Sequence, residues 1–572
     1  MKTEVIKILQ KALKKIKAEL KPEQIEKLIE IPPNSEMGDF AFPCFPLAGK
    51  LKMPPQEIAT DLREAIGNPS KEFEDIQSNG PYINFFLDRK SLAINLIKEI
   101  LEEKENYGGT FTEELKKPIT TMIEFPSPNT NKPLHIGHLR NMSIGESVSR
   151  ISEFNGEKII RANLNNDRGI HICKSMAAYM MYGKNSKPDK KIKSDHFVGK
   201  YYAMFAQKSL ENKDLELLSQ KLLQQWENKD PAIISLWAQM NKWALDGFKE
   251  TYKKFNIFSD VEYFESQVYE KGKDVILKGV KDKIFEKRDD GAIAINLEKE
   301  GLGEKVLLRT DGTSVYITQD IYLAQLKFKD YNLSSSYYIT GNEQEHHFQV
   351  LFSVLKKLGF KQNMKHLSYG MVRLPEGKIK SREGTSGVSA DEIIDNVQDL
   401  VKKELTSRYK LSKKELEERS KKITLAAIKY FLLKVDIKKD MIFNPKEAIN
   451  FEGDTGSYIL YSYARASSIF RKSKKKLSIK DISVSELNSK EIELIKKLSE
   501  FKETIKKSYE NLNPTIIANY SYKLAQIFNE FYHESPVIGS EQENFRLNLI
   551  ESFRQVLKTS LFLLGIDILE EM

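Results

Sequence analysis

His135-Ile136-Gly137-His138 lies at the junction of an apolar run and an amphipathic one, and its two flanks decide the fold. Upstream, Thr121-Met122-Ile123-Glu124-Phe125 reads as a short apolar strand, and Pro126, Pro128 and Pro133 exclude regular structure from the loop that follows. Downstream, Leu139, Met142, Val148, Ile151 and Phe154 recur mostly at helical spacing until Gly156, after which Ile159-Ile160 opens a second strand. The pattern predicts a β-α-β unit whose helix starts at the histidines. Such a helix start presents unpaired N–H groups and the positive end of a dipole, which suits a polyphosphate. Gly137 leaves the backbone approachable, and His135 and His138, three residues apart, offer two imidazole donors on one side of the turn. Taken alone, the four residues fit equally well a pair of histidines that cap a helix and satisfy loop carbonyls.

The rest of the chain supplies context. Its 572 residues leave room for three or four domains. Lys plus Arg number 90 against 81 for Asp plus Glu, a net charge of +9 that suits a polyanionic partner without requiring one. Cys44 and Cys173 are the only cysteines, which excludes a disulfide framework and a four-cysteine zinc site and points to a reducing compartment. The first amphipathic helix, with Val5, Leu9, Leu13, Ile16 and Leu20, also holds Glu4 and Glu19, unlike a signal or transit peptide. The best apolar run, Leu561-Phe562-Leu563-Leu564, is cut by Gly565 and Asp567, so no membrane span is expected and the cytoplasm is the expected location. The lysine-rich stretch from Arg471 to Lys476 reads as a solvated helix end.

Composition shifts divide the chain into three. Residues 1–115 mix helices with the strand-like Tyr82-Ile83-Asn84-Phe85-Phe86 and end in a charged helix tail before Gly108-Gly109, so an α+β domain is expected. Residues 116–451 carry the histidines and are expected to form an α/β domain. A polar, mostly helical insertion is read from about 175 to 300, with Trp226, Trp237 and Trp243 as core anchors. Residues 452–572 read as helix after helix, an all-α bundle with Tyr458, Tyr461, Tyr463, Phe528, Phe531 and Tyr532 as aromatic contributors.

Three further clusters belong with the histidines. Between Arg309 and Asp320 a glycine turn leads into a segment that places Tyr316 and Asp320 four residues apart, on one face if helical, and an acid beside a phenol suits a cationic substrate. Tyr338-Ile339-Thr340-Gly341 reads as a strand running into the polar Asn342-Glu343-Gln344-Glu345-His346-His347-Phe348, and ligands of open α/β sheets bind at that edge. Gly377-Lys378-Ile379-Lys380-Ser381-Arg382-Glu383-Gly384 is a basic loop bracketed by glycines, of the kind that closes over phosphates.

Together these residues resemble the class I aminoacyl-tRNA synthetases and, within them, the arginyl-tRNA synthetase family. Glu124-Phe125-Pro126-Ser127-Pro128-Asn129 followed by Lys132-Pro133-Leu134-His135-Ile136-Gly137-His138 is similar to that family's strand, substrate loop and nucleotide signature in one piece. Gly38-Asp39-Phe40 and Gly80-Pro81-Tyr82-Ile83-Asn84 resemble its additional N-terminal domain, which contacts the outer corner of tRNA. Asp454-Thr455-Gly456-Ser457-Tyr458 and Tyr463-Ala464-Arg465 resemble the opening of its anticodon-binding domain. The resemblance implies a Rossmann-like catalytic domain and a ligase that joins L-arginine to tRNA(Arg) with ATP and Mg2+, without zinc, as a monomer. It further implies that Glu124, Tyr316 and Asp320 hold the guanidinium and Asn129 and Gln344 the amino-acid end. His135, His138, His347 and Lys378 would bind ATP, with Gly137, Lys132 and Ser381 in the catalytic set. Carboxylates match the planar guanidinium fork, which lysine lacks.

Two departures stand out. Ser381 occupies the place of the second lysine of the family's KMSKS loop, so Lys132 is the candidate replacement for that charge, and Gln319 stands where many relatives have arginine. Two rivals share the fold: another class I enzyme, such as the cysteinyl one with its zinc-bound substrate site, and a catalytically idle tRNA-binding relative. Two distant cysteines argue against the first, and the retained Glu124, Tyr316, Asp320, Gln344 and histidines against the second.

Overall fold

The computed structural model describes residues 2–34, 37–69, 73–109, 119–375, 388–473 and 477–572, and the basic loop with Lys378 and Ser381 lies outside them. The chain divides into two units. The first comprises residues 1–107, 469–499 and 527–555, and the second 108–468, 500–526 and 556–572. In the first unit β1 (Phe40–Pro43), β2 (Phe73–Asn79) and β3 (Tyr82–Leu87) form an antiparallel sheet in the order β1-β3-β2. The helices Lys2–Lys15 and Pro55–Ile66 bury Val5, Leu9, Leu13, Ile58 and Leu62 in one core with Phe42, Ile83 and Phe85. This is the α+β arrangement expected for the N-terminal segment. Gly38 has φ +95° and a Cβ there would lie 2.9 Å from the Phe85 carbonyl oxygen, so only glycine fits where β1 meets β3. The adjoining Asp39 accepts hydrogen bonds from Leu87 N at 2.9 Å and from Arg89 at 2.7 Å, which gives that motif a structural task.

The second unit is built on β4 (Thr120–Glu124), β5 (Lys158–Asn165), β6 (Val261–Phe264), β10 (Ser335–Gly341) and β11 (Asn363–Tyr369). A small antiparallel sheet of β7 (Glu286–Lys287), β8 (Ile293–Leu297) and β9 (Gly303–Leu308) is interposed in sequence. The five strands are all parallel, in the order β11-β10-β4-β5-β6. Thr121 pairs with Ile159 on one side and with Ser335 on the other. The predicted β-α-β unit is therefore present: β4, the helix Ile136–Phe154 (the signature helix) and β5. Glu146 of that helix accepts hydrogen bonds from Arg161 of β5 at 2.9 Å and from Arg150 at 2.6 Å, fastening helix to strand through a buried ion pair.

The interval 175–300, read as one helical insertion, is more divided than that. Helices Ser194–Lys208, Asp214–Glu227 and Pro231–Phe255 occupy its first part, but β6 then returns to the edge of the central sheet, and β7 and β8 follow. Val261–Phe264 spans four residues, too short for alternation to announce a strand. Trp226 is buried, while Trp237 and Trp243 are half-buried. Residues 452–572 form helices and no strand among the described residues, but they contribute to both units rather than to one domain. The helices Gly456–Lys472, Thr515–Glu534 and Glu543–Leu563 each have one end in either unit, so chain order and compactness part company here. Among the described residues no helix is long and apolar enough to cross a membrane.

The signature helix lies so close to the sheet that a Cβ on Gly145 would fall 2.3 Å from the ring of Phe125, the residue after β4. Gly145→Ala is expected to destabilise the protein by about 1–3 kcal/mol through overpacking. Thermal melting checks this, and an unchanged transition would mean that the helix does not press on the strand end as described.

Candidate active site

β4, β5 and β10 run parallel, and their carboxyl ends deliver three chain segments to one edge of the sheet. A cavity of about 610 Å³ opens there. Glu124, Asn129, Lys132, His135 and His138 reach it from β4 and the loop before the signature helix, Tyr316 and Asp320 from the helix Tyr316–Tyr331, and Gln344 and His347 from beyond β10. The structure thus brings together every described side chain singled out in the sequence. Gly137 stands between the two histidines, and Lys378 and Ser381 fall outside the described residues.

The signature helix begins at Ile136 with His135 as its N-cap. His135 Nδ1 accepts a hydrogen bond from Gly137 N at 3.1 Å, and His138 Nδ1 accepts one from His135 N at 3.1 Å. The helix-end amides expected to face phosphate are therefore partly taken: Gly137 N–H by His135, and His138 N–H by the His135 carbonyl at 2.9 Å. Because each Nδ1 is an acceptor, each imidazole proton sits on Nε2, and two Nε2–H donors replace the amides. Desolvation first, and the Lys132 ammonium second, hold the His135 imidazolium below its ordinary range, although its ring keeps an open face to water. His138 is lowered further, by desolvation, His135 and Lys132. Both rings are neutral donors at pH 7. Gly137 serves the histidine pair as well as any ligand, since a Cβ there would meet His135 Cε1 at 2.9 Å.

The cavity lining also carries acids. Glu124, 5% exposed, closes β4 and accepts a hydrogen bond on Oε2 from Lys327 Nζ. Asp320 Oδ2 accepts one from His347 Nε2 at 2.8 Å, and that bond raises the His347 pKa against the opposing effect of burial. Tyr316, 63% exposed, starts the helix and leaves its phenol open at the cavity mouth. Gln319 donates to Glu265 at 2.6 Å, and burial pushes the Glu265 carboxyl up to about 7. The glutamine that departs from the usual arginine is therefore the hydrogen-bond partner of a second acid in the cavity wall.

Several of these residues escaped the sequence reading. Lys327 lies seven residues beyond Asp320, on the same helix face, a spacing that was available as a signal. Glu265 follows the short strand β6, in the stretch read as insertion. Arg140, next to the signature, is fully buried and donates to the carbonyls of Gly370, Lys439 and Asp436 at 2.7, 2.9 and 3.1 Å. Ser389 forms an isolated antiparallel bridge with His135 and Ala390 N donates to Leu134 O at 2.7 Å, so the start of the helix Ala390–Arg408 lies against the signature. Asp195, His196 and Asp391 converge closely enough to suggest a metal site, but Lys193 donates to the two carboxylates at 3.3 and 2.8 Å and already supplies the positive charge.

A parallel sheet whose edge cavity is met by a helix beginning at a histidine pair is the arrangement expected of a class I aminoacyl-tRNA synthetase. Comparison with known proteins agrees. Residues 96–445 match the class I (R) tRNA synthetase catalytic domain, residues 459–572 the DALR anticodon binding domain, and residues 3–87 the arginyl tRNA synthetase N terminal domain. The chain is 45% identical over 570 residues to the arginine–tRNA ligase of Treponema denticola, covering 96% of this chain and 95% of that one. It is 41% identical over 582 residues to the Borrelia duttonii arginine–tRNA ligase, covering 99% and 98%. Its fold superposes on a structure titled Thermus thermophilus arginyl-tRNA synthetase with a TM-score of 0.74 at 24% identity over the whole of both chains. The chain belongs to the arginine–tRNA ligase family.

Lys132 stands close enough to depress both histidines, and a side chain held there is placed to meet phosphate charge. Lys132→Met is expected to slow adenylate formation by roughly 10²–10³, the scale for one preorganised electrostatic group, with little change in arginine KM. Single-turnover measurement of that step decides it, and an unchanged chemical rate would remove Lys132 from the catalytic set.

Proposed function

We propose that the protein joins L-arginine to tRNA(Arg) in two steps at this cavity. In the first, a carboxylate oxygen of arginine attacks the α-phosphorus of ATP, and the bond to the pyrophosphate oxygen breaks. In the second, a hydroxyl of the terminal tRNA ribose attacks the arginyl carbonyl and AMP leaves. Neither step needs a protein nucleophile, so the work falls to positioning and charge neutralisation. The observation that carries this reading is one cavity lined both by neutral imidazole donors with Lys132 and by the carboxylates of Glu124 and Asp320.

In this reading Glu124, Tyr316 and Asp320 receive the guanidinium, and Asn129 and Gln344 the amino-acid end. His135 and His138 meet the ATP phosphates with Lys132, Lys378 and Ser381, and His347, which also reaches ATP in this reading, is hydrogen-bonded to Asp320 of the guanidinium set. Magnesium enters with ATP: the histidine pair with Lys132 offers imidazoles and an ammonium rather than carboxylates, so triphosphate oxygens and water suit the ion better than these side chains do. Residues 1–115 would meet the outer part of tRNA and residues 452–572 its anticodon, flanking a catalytic domain at 116–451. The enzyme acts as a monomer in the cytoplasm, a view supported by one chain carrying both sets of side chains in the cavity.

ATP–pyrophosphate exchange with each amino acid, with and without tRNA, tests the assignment. Arginine alone should support exchange, and only with tRNA present. Exchange with another amino acid, or none with arginine and tRNA, would overturn it. Asp320→Asn and Glu124→Gln should each impair arginine activation by several kcal/mol at most while leaving ATP affinity largely intact, because only the guanidinium loses a counter-charge. tRNA binding should weaken steeply with salt as phosphate contacts release counterions, and a flat salt dependence would argue against a phosphate-dominated interface.

A further inference from the structure

The cavity assigned to the arginine side chain has a cation of the protein's own at its floor. Lys327 is 1% exposed, and its Nζ donates to Glu124 Oε2 between the rings of Tyr338 and Tyr263, 4.9 and 5.4 Å away. A positive charge beside a subsite for a positive charge repels the substrate, so its presence calls for a physical reason. Glu124 supplies one. It is buried at the end of a strand hydrogen-bonded on both sides, where an unpaired carboxylate carries a large desolvation cost. Left alone in an empty cavity, such a group takes up a proton, and a neutral carboxyl is a poor partner for a guanidinium. Lys327 offsets that cost before substrate arrives. It also occupies only one oxygen: Oε1 takes no hydrogen bond from the described residues, and Glu124 lines the cavity.

We propose that Lys327 is a positioning residue that keeps Glu124 ionised in the empty enzyme and holds its Oε2, so that Oε1 is presented to the substrate guanidinium. The inference rests on the arginine reading of the cavity. The other groups facing the pair are Tyr338 on β10, Tyr263 on β6 and Asp320 on the helix of Lys327, with His347 bonded to Asp320. Burial raises both phenols, which stay neutral. Desolvation, the largest single influence, would lower the Lys327 ammonium, but Glu124, Tyr338 and Asp320 together raise the group, so the lysine remains charged through the neutral range. Two further groups of the cavity titrate in this range, His347, raised by Asp320, and Glu265, pushed up to about 7 by burial, and both are present in parent and variants alike.

The test is arginine KM, measured by tRNA-dependent pyrophosphate exchange from pH 6.5 to 8.5 and read as the ratio of variant to parent at each pH, in which the His347 and Glu265 titrations cancel. Lys327→Met should raise arginine KM roughly ten- to hundredfold at low pH, the scale of one charge-assisted bond, with the ratio shrinking as pH rises and Glu124 loses its proton. ATP KM should not move. Lys327→Arg, which keeps the charge, should stay near the parent at every pH. In a Glu124→Gln background Lys327→Met should add no pH dependence, since the titrating carboxyl is gone. That double variant is the control, and Lys327→Gln, with the same pH-dependent ratio expected, carries the test if the methionine variant does not fold. A ratio independent of pH would reduce Lys327 to packing, and an arginine KM below the parent's would make it a competitor for Glu124. Either result overturns the proposal. A Glu124→Gln enzyme with parental arginine KM would instead overturn the arginine pocket beneath it, whereas an impaired Glu124→Gln with a flat Lys327→Met ratio overturns this inference alone.

Discussion

β4 is hydrogen-bonded in parallel on both flanks, to β5 and to β10, and the carboxyl ends of all three strands emerge along one edge of the sheet. In that geometry a strand's last residue, the loop after it and the start of the next helix all face the same space. Glu124, the loop bearing Asn129 and Lys132, and the histidine signature are therefore consecutive in sequence and adjacent in the cavity. The tight seat of the signature helix, at Gly145 over Phe125 and at Glu146 on Arg161, keeps the strand end and the helix start in fixed relation. A substrate bound across that edge meets both in one pose, which is what in-line attack at phosphorus requires.

Charge at the edge is arranged so that few groups wait unpaired. Glu124 has Lys327 and Asp320 has His347, whereas Glu265, with only the neutral Gln319 as partner, is pushed up to about 7 by burial. Buried acids without such partners would be protonated or would destabilise the site. The partners differ in what they ask of a ligand. His347 shares Asp320 through a single hydrogen bond near the surface, whereas Lys327 is wholly enclosed and must share Glu124 rather than leave it. The neutrality of His135 and His138 has a comparable logic. A neutral ring whose Nδ1 is held by a backbone N–H keeps one directed donor, and Lys132 supplies the full charge.

What the sequence disclosed follows from where periodicity is strong. The β4-to-β5 unit was legible because an apolar run, three prolines and a helical repeat lie end to end, and Tyr316 with Asp320 because four residues make one helical face. Lys327 lay on that face too, but a lysine in a helix reads as solvent-facing unless the floor of a cavity is known to lie beneath it. Arg140 was hidden similarly, and its partners are carbonyls 230 and more residues away. β6 is four residues long, so the stretch around it merged with the helices before it, and Glu265 was lost with it. Long-range pairing decided each of these cases, and one chain read in order does not display it.

The helices inserted after β5 gain a role from the same accounting. The helix Ser194–Lys208 approaches the signature loop so closely that a Cβ on Gly199 would lie 2.5 Å from Pro133, the residue after Lys132. Just ahead of that helix, Lys193 donates to Asp391 at 2.8 Å, and Thr251 of the helix Pro231–Phe255 donates to the same carboxylate at 3.0 Å. Asp391 is the second residue of the helix Ala390–Arg408, and against the opposing effect of burial the His196 hydrogen bond, Lys193 and Lys254 hold its carboxyl well below the usual range. One inserted segment thus touches the loop before the histidines and the start of the helix Ala390–Arg408. Moving either would disturb a buried ion pair or a packed proline, so the loop before the histidines and the start of the helix Ala390–Arg408 share this support in addition to their direct contact at Leu134 and His135.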